Sequence, residues 1–115
     1  MKISALTLVV LRCADLDRAR QFYEALGLVL VAERHGTGPL HYSTCIGGAV
    51  LELYPRRNAE TRGLRLGFLV SDLASALPMV ERAGGKVLRA ELDAVPSAVV
   101  EDPDGHVLEL TQPSS

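Results

Sequence analysis

The stretch Gly48-Ala49-Val50-Leu51-Glu52-Leu53 has a near copy in Gly105-His106-Val107-Leu108-Glu109-Leu110, 57 residues further along the chain. The same offset relates Asp15 to Asp72, and it relates several glycines and apolar residues as well. A repeat of this kind indicates two copies of one supersecondary unit, related in space by a pseudo-twofold axis. We expect that axis to bring the two glutamates of the repeated stretch together.

Each copy has the pattern of one helix and four strands. In the first copy, Asp15 is a helix N-cap and Gly27 a helix stop. The elements predicted from apolar runs and turn residues are a strand over 3–13, a helix over 16–26, a strand over 28–34, and a hairpin of 40–46 with 49–54 closed by Gly47-Gly48. One unit is therefore βαβββ.

The second copy repeats this order. Its predicted elements are a strand over 64–71, a helix over 72–83, a strand over 86–91, and a hairpin that turns at Asp102-Pro103-Asp104-Gly105. Pro78 falls inside the helix, where a proline costs about 3 kcal/mol. Either the helix begins near Ser75 or it opens with a bent turn.

Length predicts one domain over residues 1–115, because each repeat alone is too small for an independent core. We assign the first module to 3–54, the linker to 55–63 and the second module to 64–111. With 48% hydrophobic residues, 23% charged residues and a net charge of −2, the composition is that of a soluble globular protein.

Several classes of partner and location are not expected. No basic run exceeds Arg56-Arg57, so we predict no nucleic-acid binding. No segment approaches the roughly 20 apolar residues of a membrane span. Cys13 and Cys45 lack metal-type spacing, and no export signal precedes them, which predicts reduced thiols and a cytoplasmic protein.

Strand alternation sorts the side chains of the first hairpin. A two-residue turn at Gly47-Gly48 pairs Ser43 with Glu52 and His41 with Tyr54, all on one face. The leucines between them face the other way and suit packing under a helix. The acidic face must therefore line solvent or a concave cavity.

Two segments of the sequence resemble a known family. Leu11-Arg12-Cys13-Ala14-Asp15-Leu16-Asp17, and the ending Glu101-Asp102-Pro103-Asp104-Gly105-His106-Val107-Leu108-Glu109-Leu110, resemble the vicinal oxygen chelate superfamily. That superfamily holds glyoxalases, bleomycin-resistance proteins, fosfomycin-resistance enzymes and extradiol dioxygenases. The resemblance implies an α+β fold of two tandem βαβββ modules whose curved sheets form a cleft, within one chain or between two, and a homodimer.

The family's divalent metal is held by residues of the first and last strands of each module. The resemblance places those positions at Leu8, Glu52, Arg65 and Glu109. Leucine and arginine donate no lone pair to a metal. A guanidinium roughly 6 Å from a double charge, at an effective dielectric of about 20, opposes the ion by about 5 kcal/mol. We therefore expect no metal cofactor; if an ion binds, Glu52 and Glu109 are its ligands.

Arg65 is expected to neutralise the two glutamates in place of the ion. The cavity candidates are Arg12, His41, Ser43, Glu52, Tyr54, Arg65 and Glu109. Each also has a plainer interpretation. Arg12 and Arg65 can be exposed strand charges, either glutamate can face solvent, and His41 can be a structural histidine.

The favoured hypothesis is a metal-free protein that binds a small, anionic organic molecule, as bleomycin-resistance proteins do. The alternative is a metal-dependent lyase, isomerase or dioxygenase that acts on vicinal oxygens through Glu52 and Glu109. A metal-independent enzyme with a glutamate base, or a scaffold that serves only in assembly, also remains open. Sequence alone leaves open whether the protein is an enzyme.

Overall fold

Two βαβββ units form the molecule, as the repeat predicts. The computed structural model describes residues 1–57 and 59–114. The first unit contains β1 (Leu8–Cys13), α1 (Leu16–Ala25), β2 (Val31–Glu33), β3 (His41–Ile46) and β4 (Ala49–Pro55). The second contains β5 (Arg65–Leu69), α2 (Leu73–Arg82), β6 (Lys86–Glu91), β7 (Ser97–Glu101) and β8 (Val107–Thr111). The α+β fold class is confirmed.

Each unit has its own four-stranded mixed sheet. The strand orders are β1-β4-β3-β2 and β5-β8-β7-β6. In both sheets the strand before the helix lies parallel to the last strand of the unit, while the remaining pairs are antiparallel. The central strands β4 and β8 therefore present Glu52 and Glu109 at equivalent places in two separate sheets.

Both predicted helix caps are confirmed. The Asp15 carboxylate accepts a hydrogen bond from the Arg18 backbone N–H at 3.1 Å. The Asp72 carboxylate accepts from the backbone N–H of Ser75 at 3.3 Å and from its hydroxyl at 2.6 Å. These bonds satisfy backbone donors that an uncapped helix leaves free, and so fix where each helix begins.

Pro78 lies inside α2, and the expectation of a helix that begins near Ser75 is wrong. The helix starts at Leu73, directly after its Asp72 cap. Leu73, Ala76 and Val80 are its buried residues. The buried side chains at both ends of α2 hold the helix across the proline, although Pro78 has no N–H to donate to the preceding turn.

The two hairpins differ despite the constant offset in sequence. The first closes at Gly47-Gly48 as predicted, with Ile46 paired to Ala49 and Gly47 at φ 57°. In the second, Glu101 pairs with Val107, so the loop covers 102–106 and is one residue longer than predicted. That extra residue changes the partner across the ladder: Glu52 faces Ser43, whereas Glu109 faces Val99.

Three further boundaries depart from prediction. The first strand begins at Leu8 rather than at residue 3, β2 covers only Val31–Glu33, and β5 ends at Leu69. The backbone N–H of Leu28 donates to the Tyr23 carbonyl at 3.1 Å, which ends α1 and delays the strand that follows.

One core joins the two units. It contains the inward residues of both sheets together with helix residues such as Phe22, Tyr23, Leu73 and Val80. Because both sheets contribute their helix-covered faces to this core, the opposite face of each sheet is turned away from it. These two surfaces are called the open faces below; they carry Glu52 in the first unit and Glu109 in the second.

Candidate functional site

Five of the predicted residues share the open face of the first sheet. β1 supplies Arg12, β3 supplies His41 and Ser43, and β4 supplies Glu52 and Tyr54. The register pairs Arg12 with Tyr54 and Ser43 with Glu52. Strand parity alone thus placed these side chains correctly relative to one another.

Three of these side chains form a column. The Arg12 guanidinium carbon lies 5.0 Å from the centre of the Tyr54 ring, a cation–π contact. On the hairpin, the Tyr54 and His41 rings stack with centroids 4.2 Å apart and planes 9° apart. The column fixes the imidazole, whose side chain is only 1% exposed.

His41 has a defined tautomer. Its Nδ1 lies 3.2 Å from the Pro39 carbonyl oxygen, which can only accept, so Nδ1 carries the proton and donates. Its Nε2 lies 3.5 Å from a Glu33 carboxylate oxygen and 3.7 Å from one of Glu52. The ring of His35 completes the group, with its centroid 5.2 Å from that of His41.

The sequence singled out neither Glu33 nor His35, which follows the strand predicted over 28–34. β2 pairs Glu33 with His41, so alternation along the neighbouring strand was the available signal for the glutamate. His35 lies in the loop that follows, and no periodic pattern predicts where a loop side chain points.

The second open face carries the ion pair of Arg65 with Glu109. The Arg65 Nε donates to a Glu109 carboxylate oxygen, and the two side chains are 51% and 50% exposed. Glu109 also lines a cavity of about 330 Å³ in the second unit. The other side chains of that cavity on the same face of β6, β7 and β8 include Arg89, Glu91, Ser97, Val99 and Thr111.

The structure corrects the expected bridge between the two glutamates. Arg65 contacts Glu109, but among residues 1–57 and 59–114 no ion pair joins it to Glu52. Glu52 instead approaches His41. The two glutamates thus have separate partners, one in each sheet.

A buried hydrogen-bond network forms around the 102–106 loop of the second hairpin, on the side of the sheet that faces the core. Asp102 accepts from the Tyr23 hydroxyl at 2.6 Å and from His106 Nδ1 at 2.6 Å. Burial lowers the pKa of His106, but its hydrogen bond to Asp102 and the negative charges of Asp102 and Asp104 outweigh burial, so the pKa is raised. Burial, together with Asp102, raises the pKa of Tyr23.

Asp104 adds a second contact between this network and the first half of the chain. Its carboxylate accepts from the Ala14 backbone N–H at 2.8 Å and from Arg56 at 3.4 Å. The sequence predicted only a turn containing Asp102 and Asp104, because nothing in a local motif shows that a tyrosine from a distant helix reaches this loop. The network joins the two units and faces the core.

Comparison with known proteins agrees with this architecture. The sequence profile of the Glyoxalase/Bleomycin resistance protein/Dioxygenase superfamily matches residues 5–110, and the chain belongs to that superfamily. It is 31% identical to a "Probable lactoylglutathione lyase" of Synechocystis over 92% of this chain and 93% of that protein. It is equally identical to a chloroplastic "Probable lactoylglutathione lyase" of Arabidopsis thaliana over 90% of this chain, which spans only 34% of that protein.

A solved structure with a related sequence is TnmS3, described as an antibiotic binding protein from Streptomyces sp. CB03234. The two chains are 26% identical, the TM-score is 0.74, and the match covers 99% of each. The superfamily thus includes named lyases and a named antibiotic binder among the relatives of this chain.

The residues at the family's metal positions do not fit a divalent ion well. Leu8 and Arg65 offer no donor atom, and Arg65 already pairs with Glu109. Over residues 1–57 and 59–114, the compact clusters of three metal-ligating side chains are Glu33, His35 and His41, and Asp102, Asp104 and His106. Neither cluster includes Glu52 or Glu109.

Within the part of the chain that the structure describes, no helix has both the length and the apolar character needed to cross a bilayer.

Proposed function

We propose that this chain is a small-molecule-binding protein of the bleomycin-resistance type and that it does not use the family's metal. The observation that carries the proposal is the ion pair of Arg65 with Glu109. A guanidinium at a metal-ligand position supplies a fixed positive charge where related proteins bind a cation. The carboxylate beside it is neutralised without an ion.

The ligand we expect is an organic molecule with a carboxylate or similar anionic group. Arg12 on the first open face and Arg65 and Arg89 on the second offer guanidinium groups for such a molecule. The Tyr54 ring holds the Arg12 guanidinium in place through their cation–π contact. Ser43 and Glu52 add polar groups to the same face.

We further propose that the binding cleft forms between two chains in a cytoplasmic homodimer. The open faces are turned away from the shared core and expose apolar residues, including Leu8 at 50%, Val31 at 58% and Leu69 at 76%. A second copy that covers these faces removes that apolar surface from water. Cys13 and Cys45 are unpaired thiols, which suits a reducing compartment.

The oligomeric part of the proposal is tested by light scattering on the eluting protein. We expect a dimer mass for the wild type and a monomer for Leu69→Asp. A wild type that elutes as a monomer at all concentrations contradicts assembly of the cleft between chains.

Native mass spectrometry tests ligand binding. Protein isolated without denaturation is sprayed alone and with a panel of carboxylate-bearing antibiotics. We expect a retained small molecule, bound about 10 to 100 times more weakly by Arg65→Ala, because a charge-assisted hydrogen bond contributes about 1.5–3 kcal/mol. Arg82→Ala on the exposed side of α2 is the control and should bind normally. Equal binding by both variants contradicts the role of Arg65.

A metal-dependent lyase, isomerase or dioxygenase is the second candidate, favoured by the names of the two relatives at 31% identity. It requires an ion at Glu52 and Glu109. Formation of lactoylglutathione, assayed with added Zn²⁺ or Ni²⁺, tests the lyase form. Turnover that disappears in Glu109→Gln together with a stoichiometric ion supports this candidate and contradicts the metal-free binder.

A further inference from the structure

A cluster of two imidazoles and a carboxylate lies at the edge of the first sheet, away from the family's metal positions. Glu33, His35 and His41 each offer a ligand atom, and these atoms all lie within 4.8 Å of one another. We propose that this cluster is a binding site for a divalent transition-metal ion. The inference is independent of the proposed binding of an organic ligand.

The buried imidazole of His41 is prepared as a metal ligand. Its Nδ1–H donates to the Pro39 carbonyl oxygen at 3.2 Å, so the lone pair is on Nε2. Metal-ligating histidines commonly donate their other N–H to a backbone carbonyl, which holds the ring in place and makes the ligating nitrogen more basic. The stack on Tyr54 adds a second restraint on the ring.

Nε2 of His41 lacks a good hydrogen-bond partner although its side chain is only 1% exposed. The Tyr54 hydroxyl is 3.4 Å away. The two rings are nearly parallel, so that hydroxyl lies above the imidazole plane, whereas the nitrogen lone pair lies within it. The Tyr54 hydroxyl therefore does not satisfy the lone pair.

The remaining polar groups near Nε2 are two carboxylates. Carboxylate oxygens of Glu33 and Glu52 lie 3.5 Å and 3.7 Å from it. A buried nitrogen lone pair beside two carboxylates is a set of donor atoms that a metal cation can join.

His35 adds a third donor. The loop after β2 brings this second imidazole close to the first, with ring centroids 5.2 Å apart. The Gly38 backbone N–H donates to the His35 carbonyl at 2.9 Å and closes the turn that directs this loop. Two imidazoles with a carboxylate form the donor set that Zn²⁺, Ni²⁺ and Cu²⁺ prefer over Mg²⁺ or Ca²⁺.

The spacing agrees with shared coordination. Two ligands at about 2.1 Å from a tetrahedral ion lie about 3.4 Å apart, close to the 3.5 Å between His41 Nε2 and Glu33. The Glu33 side chain is 38% exposed and His35 is exposed, so the ion has a side open to solvent. Three protein ligands with an open position allow an oxygen-bearing molecule on the same face to complete the coordination.

Calorimetric titration of untagged, chelator-treated protein with Zn²⁺ tests the site, and visible absorption of the Co²⁺-loaded protein reports the ligand field. We expect one ion per chain. His35→Ala and Glu33→Gln should each weaken Zn²⁺ binding by about tenfold or more, since changes around a metal site typically cost 10–100-fold in affinity. Both residues are at the surface, and circular dichroism verifies that each variant folds.

Glu109→Gln is the matched control, because it removes a carboxylate from the family's metal position and leaves the proposed cluster intact. We expect its Zn²⁺ affinity to be unchanged. No binding of Zn²⁺ or Co²⁺ by the wild type would overturn the inference. Binding that is lost in Glu109→Gln but retained in His35→Ala and Glu33→Gln would also overturn it, and would instead favour the metal-dependent enzyme.

Discussion

Asp102 accepts four hydrogen bonds from inside the protein. Its Oδ1 accepts from the backbone N–H groups of Asp104 and His106, and its Oδ2 accepts from Tyr23 and from the His106 ring. A carboxylate whose side chain is 0% exposed needs such partners, because an unpaired buried charge is costly. This arrangement raises the pKa of His106. The free energy of unfolding therefore depends on pH.

The free energy of unfolding should fall as the pH rises above neutrality. The folded chain binds the His106 proton more tightly than the unfolded chain does. Its stabilising contribution is therefore fully present below the unfolded pKa of about 6.5 and is lost as the pH rises through the higher folded pKa. Urea unfolding between about pH 6 and pH 9 should show a slope of at most about 1.4 kcal/mol per pH unit. A slope that persists unchanged in His106→Gln would assign it to another group.

The two cysteines should differ in reactivity. Burial, with the charges of Asp104 and Asp102, raises the pKa of Cys13 to about 12, while Cys45 is exposed. Since the thiolate is the reactive form, iodoacetamide should alkylate Cys45 and spare Cys13 in the folded protein. Mass spectrometry should show a single adduct per chain, none in Cys45→Ser, and two in denatured wild type. An adduct on folded Cys13 would show that its thiol is accessible.

For single residues, the sequence predicts well which face of a sheet a side chain lies on. It predicts contacts between sheets poorly. Alternation placed Arg12, His41 and Tyr54 on one face because the pleat fixes side-chain direction. It could not show that Arg65 pairs with Glu109 rather than bridging to Glu52, because the distance between two sheets depends on how they pack. Nor could it place His35, whose position depends on the path of a loop.

Helix α2 shows how packing overrides local preference. Pro78 predicts a break, yet the helix continues because Leu73, Ala76 and Val80 are buried along one side. The carbonyl of Ala74 loses the N–H donor that a residue other than proline would supply four positions later. The proline therefore remains a local cost in a helix that the core keeps intact.

Replacing Pro78 with alanine should stabilise the protein. The restored hydrogen bond and the removed ring clash favour the helix by roughly 3 kcal/mol, and the greater freedom of the unfolded chain offsets up to about 1 kcal/mol of that. We expect a net gain of about 2–3 kcal/mol in chemical denaturation. Glu81→Ala, at an exposed site of the same helix, should change stability by less than about 0.5 kcal/mol. A loss of stability in Pro78→Ala would mean that the ring packs usefully.

The two hairpins show that tertiary contacts override local sequence in strand pairing as well. A glycine pair predicted the first turn and its register, because few residues other than glycine adopt φ 57° readily. The second turn is longer than its local sequence indicates because its conformation is fixed by the hydrogen bonds of Asp102. One added loop residue then shifts which residue of β7 faces Glu109.

The whole molecule depends on close contact between α1 and the second unit. A Cβ on Gly85 would lie 2.5 Å from the Phe22 ring and 2.5 Å from the Glu101 carbonyl oxygen. Phe22 is fully buried, so the ring has little room to move. Glycine at this position allows the helix of one unit to approach the sheet of the other.

Gly85→Ala should destabilise the protein by about 1–3 kcal/mol, the usual cost of overpacking. Gly48→Ala is the control, because a Cβ there meets nothing within 4 Å and its φ is not positive. Thermal unfolding of the two variants measures the difference. Equal melting temperatures would show that Phe22 and the backbone relax without cost.

The network of Tyr23, Asp102 and His106 has no counterpart at the 57-residue offset, where the residues are Val80, Cys45 and Ala49. The halves have therefore diverged into complementary pieces: one supplies the phenol and the other the acid and the imidazole. A tandem fusion of two first halves would set a buried phenol against a thiol, with no carboxylate to accept its hydrogen bond. Fragments cut within 56–63 should accordingly recover a fold only when mixed, each completing what the other lacks.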